Sequence, residues 1–313
     1  MKFFYAFLIL ILSLVGVTGC SQQDQDPPKP ILAAKAASEK HQYQFAVHPL
    51  HNPSRLFDVF NPLLEYLNQN IPEAEFTLEA SRDYAVFDQK LIDQTVDFAL
   101  PNPFQTLIAI EHNYRVIAKM GDDFNFKGII LVPKDSPIKT PKDLKGYSVS
   151  YPAPTALAGT ILPQYYLQTH GLDINKDIKN VYVGSQESSI MSVYLGTTMA
   201  GATWPPPWEA LSKERPELKE KLKVIWQTQS LPNNSVVAGK NVPVEISDKV
   251  QILLANLHTT AEGQKILNKM YLSKYEKADN STYAPVKQFI NQFQKTVRPL
   301  ELHAHTENKT AKE

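Results

Sequence analysis

The chain has a single cysteine, Cys20, in 313 residues. One thiol closes no internal disulfide, and without a C-x-x-C there is neither a thiolate zinc site nor a dithiol redox pair. An excess of charge is missing too. Lys plus Arg number 32 against 32 Asp plus Glu, with a pI near 7.1, so no long-range field draws in nucleic acid or an anionic membrane surface. Glycine is scarce, 12 against 23 prolines, so loops are stiffened more often than loosened. At 43% apolar and 20% charged residues the chain is neither disordered nor a multi-span membrane protein. The signatures G-x-S-x-G, H-E-x-x-H and G-x-x-x-x-G-K-[ST] are absent, no thiol is left as a nucleophile after lipidation of Cys20, and an enzyme is not expected. No cofactor is expected, and loop histidines His48 and His51 lack the neighbours a metal site needs.

What is present begins with an address. Phe3 to Val17 are almost wholly apolar behind Lys2, about the length of a secretory h-region. The run ends in Val17-Thr18-Gly19-Cys20, which resembles a bacterial lipobox, where small residues precede a cysteine that receives a diacylglycerol. Residues 1–19 are read as a lipoprotein signal peptide and Cys20 as the lipidation site; the alternative is an ordinary signal peptide with an incidental cysteine. Residues 20–41 carry Pro27, Pro28 and Pro30 and then turn Ala/Lys/Glu-rich, the composition of a tether. The expected location is the cell envelope, facing the periplasm or the cell exterior.

From Tyr43 onward short apolar strands alternate with amphipathic helices, the pattern of an α/β fold with a largely parallel sheet. Strands are expected at Gln44-Phe45-Ala46-Val47, over Glu75 to Ala80, Val96 to Leu100, Tyr114 to Ala118 and Gly128 to Val132. A second series follows at Ser148 to Tyr151, Asn180 to Val183, Met199 to Thr203 and Leu222 to Gln227. Beyond Ile246 only helices are expected. Two such series suggest two lobes: residues 42–133 with 234–298, and residues 134–233, followed by a frayed tail over 299–313. Hinges are placed near Val132 to Asp135 and Gln227 to Asn233.

Several segments carry a family resemblance: Asp83-Tyr84-Ala85, Val96-Asp97-Phe98-Ala99, Gly128 through Ile138 with its V-P-K-D-S-P-I, Asp143-Leu144-Lys145-Gly146, and Gly159 through Tyr166. Over Tyr43 to Met270 the chain resembles the phosphate/phosphite/phosphonate type of solute-binding protein of ABC transport systems. The resemblance implies a two-lobe periplasmic-binding-protein-like fold of type II with two hinge crossovers. It also implies a cleft that closes on a small solute for delivery to a membrane permease. The chain is expected to be a monomer. A sensor that reports the same ligand to a membrane signalling protein is the alternative.

In such folds ligands sit at the carboxyl ends of strands, where helix N-termini offer N–H groups. Candidates there are Arg55, able to pair with an anion; Tyr84, which in the resembling family faces the ligand; Asn102 between two prolines; Tyr151 and Thr155; Ser185, Gln186 and Glu187, where the family has a His-Glu pair; and Trp204 and Trp208 of the stiff W-P-P-P-W run. One departure stands out. Where phosphonate binders place a Ser-Thr-Ser-like cluster, this chain has Ala156, Leu157 and Ala158. Fewer hydroxyls and more aromatic surface favour a solute other than a simple phosphonate.

Overall fold

The computed structural model describes residues 40–300. The expected signal peptide, Cys20, almost all of the tether, and the tail from 301 onward lie outside them.

Strands β1 (His41–Val47), β2 (Ala74–Ala80), β3 (Phe98–Leu100) and β4 (Arg115–Met120) open one sheet. The next five, β5 (Lys127–Pro133), β6 (Ser148–Tyr151), β7 (Lys179–Tyr182), β8 (Ala200–Thr203) and β9 (Leu222–Ser230), form a second. Then β10 (Ser235–Ala238) and β11 (Tyr275–Lys277) return to the first. The six-stranded sheet runs β11-β4-β10-β3-β1-β2 and the five-stranded sheet β7-β6-β8-β5-β9. Parallel pairs β1/β2, β1/β3, β6/β7 and β6/β8 carry the helical crossovers, and the antiparallel strands mark where the chain changes sheet. This is the two-lobe α/β architecture of type II.

Helices α1 (Pro53–Asn70), α2 (Tyr84–Ile92) and α3 (Pro103–Glu111) cover the first sheet. In the second lobe are α4 (Leu162–Thr169), α5 (Gln186–Tyr194), α6 (Pro205–Glu214) and the short α7 (Glu217–Lys221); α8 (Val244–Asn256), α9 (Ala261–Lys269) and α10 (Ala284–Thr296) close the chain. In α1 the residues Leu56, Val59, Phe60, Leu63, Leu64 and Leu67 recur at helical spacing and are buried. Phe57 is 39% exposed, because the buried stripe runs through Leu56. Prolines open α1 and α3, where the missing N–H breaks no helical bond, and the side chains of Asn52 and Asn102 cap the same ends.

The lobe boundary differs from the expected one. The apolar run ending at Pro133 was assigned to the first lobe, yet β5 pairs antiparallel with β8 and β9 of the second. An all-apolar strand buried on both faces reads the same in either sheet, so pairing alone decides its lobe. The chain therefore crosses between lobes over 121–126 and again over 231–234. These segments lie side by side: Asn233 donates from Nδ2 to Gly121 O at 2.7 Å and from its backbone N to Asp123 Oδ1 at 3.0 Å, and Leu231 N donates to Phe126 O at 3.1 Å. Strands β10 and β11 also went unforeseen, being four and three residues long.

A third link joins the lobes after α10. Tyr165 and Phe289 meet edge to face at 5.2 Å. Asn175 Nδ2 donates to Val297 O at 2.8 Å, and Arg298 reaches Pro154 O and Gln164 Oε1, each at 2.9 Å.

Candidate functional site

Between the sheets lies a narrow cavity of about 10 Å³, room for little more than one water molecule. The first lobe contributes His48 just beyond β1, Tyr84 at the start of α2, Asn102 before α3, and Asn234 before β10. The second lobe contributes Ala156, Leu157, Ala158, Gln186 and Trp204, and Phe126 of the first crossing packs edge to face on Trp204 at 5.4 Å. Each of these residues sits at a strand's end or a helix's start, where backbone direction aims it at the gap.

The cavity is polar without being charged. His48 is 3% exposed, and its Nδ1 lies 2.8 Å from Leu100 O. A carbonyl only accepts, so Nδ1 carries the proton. Burial drives the imidazole pKa down to about 4 against the lesser opposing effect of that hydrogen bond, and the ring is neutral at pH 7. The Tyr84 hydroxyl is buried, which pushes its pKa up, and Gln186 Nε2 donates to it over a long 3.5 Å. Gln186 Oε1 accepts from Thr203 Oγ1 at 2.9 Å, so the amide is held in one orientation. Asn102 accepts from Phe104 N and Gln105 N while its Nδ2 donates to Thr155 O across the lobes at 3.2 Å. Among the described residues no lysine or arginine lines this space.

The cavity's second-lobe wall is a helix start. Leu157–Ile161 form one π-helical turn leading into α4, with Thr160 N and Ile161 N both donating to Ala156 O. The N–H groups that open such a turn have no carbonyl of their own helix to reach. Gly159 is required here, since a Cβ on it would stand 2.7 Å from Gln186 Oε1 and 2.8 Å from Pro152 Cγ.

Of the residues proposed from sequence, Tyr84, Asn102, Gln186 and Trp204 meet at this cavity, and six do not. Arg55 on α1 turns outward across the cleft and pairs with Glu187, at 3.3 Å, and with Glu214. Its partners are carboxylates of the other lobe, which leaves it poorly placed for an anionic ligand. Glu187 accepts from Asn52 N at 3.1 Å, Asn52 Nδ2 at 3.3 Å and His51 Nδ1 at 3.3 Å. It thus clasps the N-terminus of a first-lobe helix. Desolvation pushes its carboxyl pKa up, but the contacts with His51, Asn52 and Arg55 outweigh this and hold it below the ordinary value. Ser185 caps α5 through Ser188 N. Tyr151 is wholly buried beside Tyr182, with a hydroxyl that meets no hydrogen-bond partner among the described residues.

Trp208 belongs to the second lobe's own core, with Ile129, Leu131, Ile190, Val193 and Leu211. The three prolines open α6, and one helical turn carries Trp208 from the cavity side, where Trp204 stays, onto the sheet. Trp208→Ala is therefore expected to cost about 3–5 kcal/mol of folding stability by chemical denaturation, as a core cavity does. It should leave ligand affinity in the folded fraction unchanged.

Thr155 faces a neighbouring hollow and donates to Asp88 Oδ2 at 3.3 Å, while Gln105 Nε2 donates to Oδ1 at 2.6 Å. Burial of Asp88 raises its pKa to about 7, against those two hydrogen bonds. A carboxyl pKa raised on folding contributes stability at acid pH that is lost as pH climbs through about 7. Asp88→Asn should therefore stabilise the protein at pH 8 by roughly 2–4 kcal/mol and hardly at pH 4. A melting profile that moves equally at both pH values would contradict this.

His48 and Asn234 were missed as cavity residues. His48 was detectable in principle, since it directly follows the first strand. Asn234 was not, because its strand is too short to show periodicity.

Comparison with known proteins agrees with this layout. The family model described as ABC transporter, phosphonate, periplasmic substrate-binding protein matches residues 45–283. The phosphonates-binding periplasmic protein of Escherichia coli K12 is 21% identical over 263 residues, covering 82% of this chain and 78% of that protein. A probable ABC transporter phosphite binding protein, PhnD1 of Prochlorococcus marinus, is 25% identical over 189 residues, 56% of this chain and 64% of that one. Among solved structures, a binding protein component of an ABC phosphonate transporter from Pseudomonas aeruginosa superposes with a TM-score of 0.76 at 20% identity, covering 82% of this chain and 88% of that one. PhnD1 of Prochlorococcus marinus in complex with methylphosphonate gives 0.75 at 20% identity, covering 81% and 98%. The chain belongs to the family of phosphonate-type periplasmic substrate-binding proteins of ABC transporters, and is a binding protein and not an enzyme.

Proposed function

We propose that this chain is the lipid-anchored solute receptor of an ABC importer, and that its solute is a small oxyanion of the phosphonate or phosphite class held between the lobes. The observation that supports this most is the cavity itself. It is walled by both lobes, and one wall is a helix start whose N–H groups suit an anion. The withdrawal of Trp208 into the lobe core leaves Trp204, packed on Phe126, as the indole at the cavity. What still sets the cleft apart is the lining of Ala156, Leu157 and Ala158 in place of hydroxyls, which points to a weaker grip on the anion.

The lobe motion is a hinge at the adjacent crossings 121–126 and 231–234, with ligand stabilising the closed form because it touches both lobes. The closed receptor would then dock on a membrane permease. Attachment rests on the lipobox at Cys20. Acyl chains give stable anchoring only when more than one is present, which a lipidated N-terminal cysteine provides.

Thermal unfolding of the full-length protein tests the solute class. Methylphosphonate and phosphite should each raise Tm in a concentration-dependent way, whereas small amines and heterocycles should not. A Tm raised only by the latter would overturn the oxyanion reading. Separately, Cys20→Ser should abolish labelling by radioactive palmitate; a labelled variant would refute the anchor.

A further inference from the structure

We infer that the cavity accepts its oxyanion only in a form that still carries a proton, because two of the polar atoms facing the solute are hydrogen-bond acceptors. This rests on the oxyanion reading above and specifies the species bound.

The first acceptor is Asn234. The residue is wholly buried and lines the cavity, and its Oδ1 has no hydrogen-bond partner among the described residues. Its orientation is set by Met120, whose Sδ lies 3.4 Å from Nδ2. A thioether offers only lone pairs, so the amide turns its N–H group to the sulfur and its carbonyl oxygen away. The backbone is fixed on both sides, with Met120 N donating to Asn234 O and Asn234 N donating to Asn233 Oδ1, each at 2.8 Å. The second acceptor is His48. With Nδ1–H donated to Leu100 O, the neutral ring has only the Nε2 lone pair left to offer.

The donors of the lining are the Tyr84 hydroxyl, the Gln186 amide, the Trp204 indole N–H and the N–H groups that open the 157–169 helix. Alanine and leucine at 156–158 contribute none. A fully deprotonated oxyanion would press bare oxygens against Asn234 Oδ1 and His48 Nε2, leaving both acceptors unsatisfied. A monoanion with a P–OH satisfies one of them directly. Such a mismatch changes affinity by about 10- to 100-fold.

Other titratable groups stand near enough to matter. Asp88 and Tyr84 on α2, Glu187 on α5, His51, and the Lys119–Asp123 pair beside the crossing all border the region. The test therefore needs a ligand that does not titrate. Methanesulfonate matches methylphosphonate in shape and carries no acidic proton between pH 5 and 9, so its binding reports the protein's own titration alone.

Calorimetry on the full-length protein with both probes across that range decides the matter. The expected result is that at pH 5 methylphosphonate binds at least ~10-fold more tightly than methanesulfonate. The ratio should then fall about tenfold per pH unit above the second ionisation of methylphosphonate. Asn234→Leu should shrink the ratio at pH 5. If that variant fails to fold, the ratio in the natural sequence still decides. Equal binding of the two probes, or a ratio that does not change with pH, overturns the inference while leaving the oxyanion reading intact. Binding of neither probe at millimolar concentration overturns both.

Discussion

Restoring hydroxyls to the helix start, through Ala156→Ser, Leu157→Thr and Ala158→Ser together, is expected to tighten methylphosphonate binding about 100-fold at pH 8. Each hydroxyl aimed at an anionic oxygen adds a charge-assisted hydrogen bond of about 1.5–3 kcal/mol before the cost of desolvating and ordering the side chain. If about 3 kcal/mol survives from the three, the dissociation constant falls by about two decades. All three positions line the cavity, and none of these side chains makes a polar contact that the change would break. The added donors should also flatten the pH dependence, since they can solvate the fully deprotonated anion. Isothermal titration of the triple variant against the parent measures both effects. An unchanged affinity would mean that the ligand does not sit at this helix start.

The second large effect should come from Glu187→Ala. Glu187 is a carboxylate of the second lobe that collects four donors from the first: His51, Asn52 through its backbone and side chain, and Arg55. Breaking a buried pair by removing one partner costs about 3–5 kcal/mol when the other stays buried. Here the lobes can part and let water reach Arg55, so the loss appears as opening and not as unfolding. Small-angle scattering should show a larger radius of gyration with ligand absent, and solute affinity should drop about 100-fold or more. Acid should mimic the substitution. The folded-state pKa of Glu187 is depressed, so its contribution to closure is present at neutral pH and is lost as pH falls through the range below its ordinary 4.5. A variant that stays closed with unchanged affinity would show that the clasp is incidental.

Much of this arrangement was legible in the sequence because the fold places function at predictable points. Tyr84, Asn102, Gln186 and Trp204 could be found because each follows a strand end or opens a helix, and that position alone aims a side chain at the cleft. Arg55 and Glu187 met the same criterion. They stand outside this cavity, each paired with an opposite charge on the facing lobe, and pairing across lobes leaves no trace in local pattern. Trp208 lies four residues beyond Trp204, a full helical turn, and only the depth of α6 against its sheet decides which indole walls the cavity. The lobe boundary slipped for a similar reason: β5 is apolar throughout, and periodicity does not say which sheet it joins. The orphan oxygen of Asn234 needed the position of Met120 to be seen at all.

A small oxyanion is proposed to occupy the cavity between Tyr84, His48, Asn234 and the helix that opens at Leu157. A crystal structure of the protein grown with methylphosphonate at pH 5 tests it most directly. The expected result is a tetrahedral group within hydrogen-bonding distance of the Tyr84 hydroxyl and of the N–H groups at 157–159, with one of its oxygens against Asn234 Oδ1. Closed lobes with that space filled by side chains alone, or the solute bound outside it beside Arg55, would contradict this.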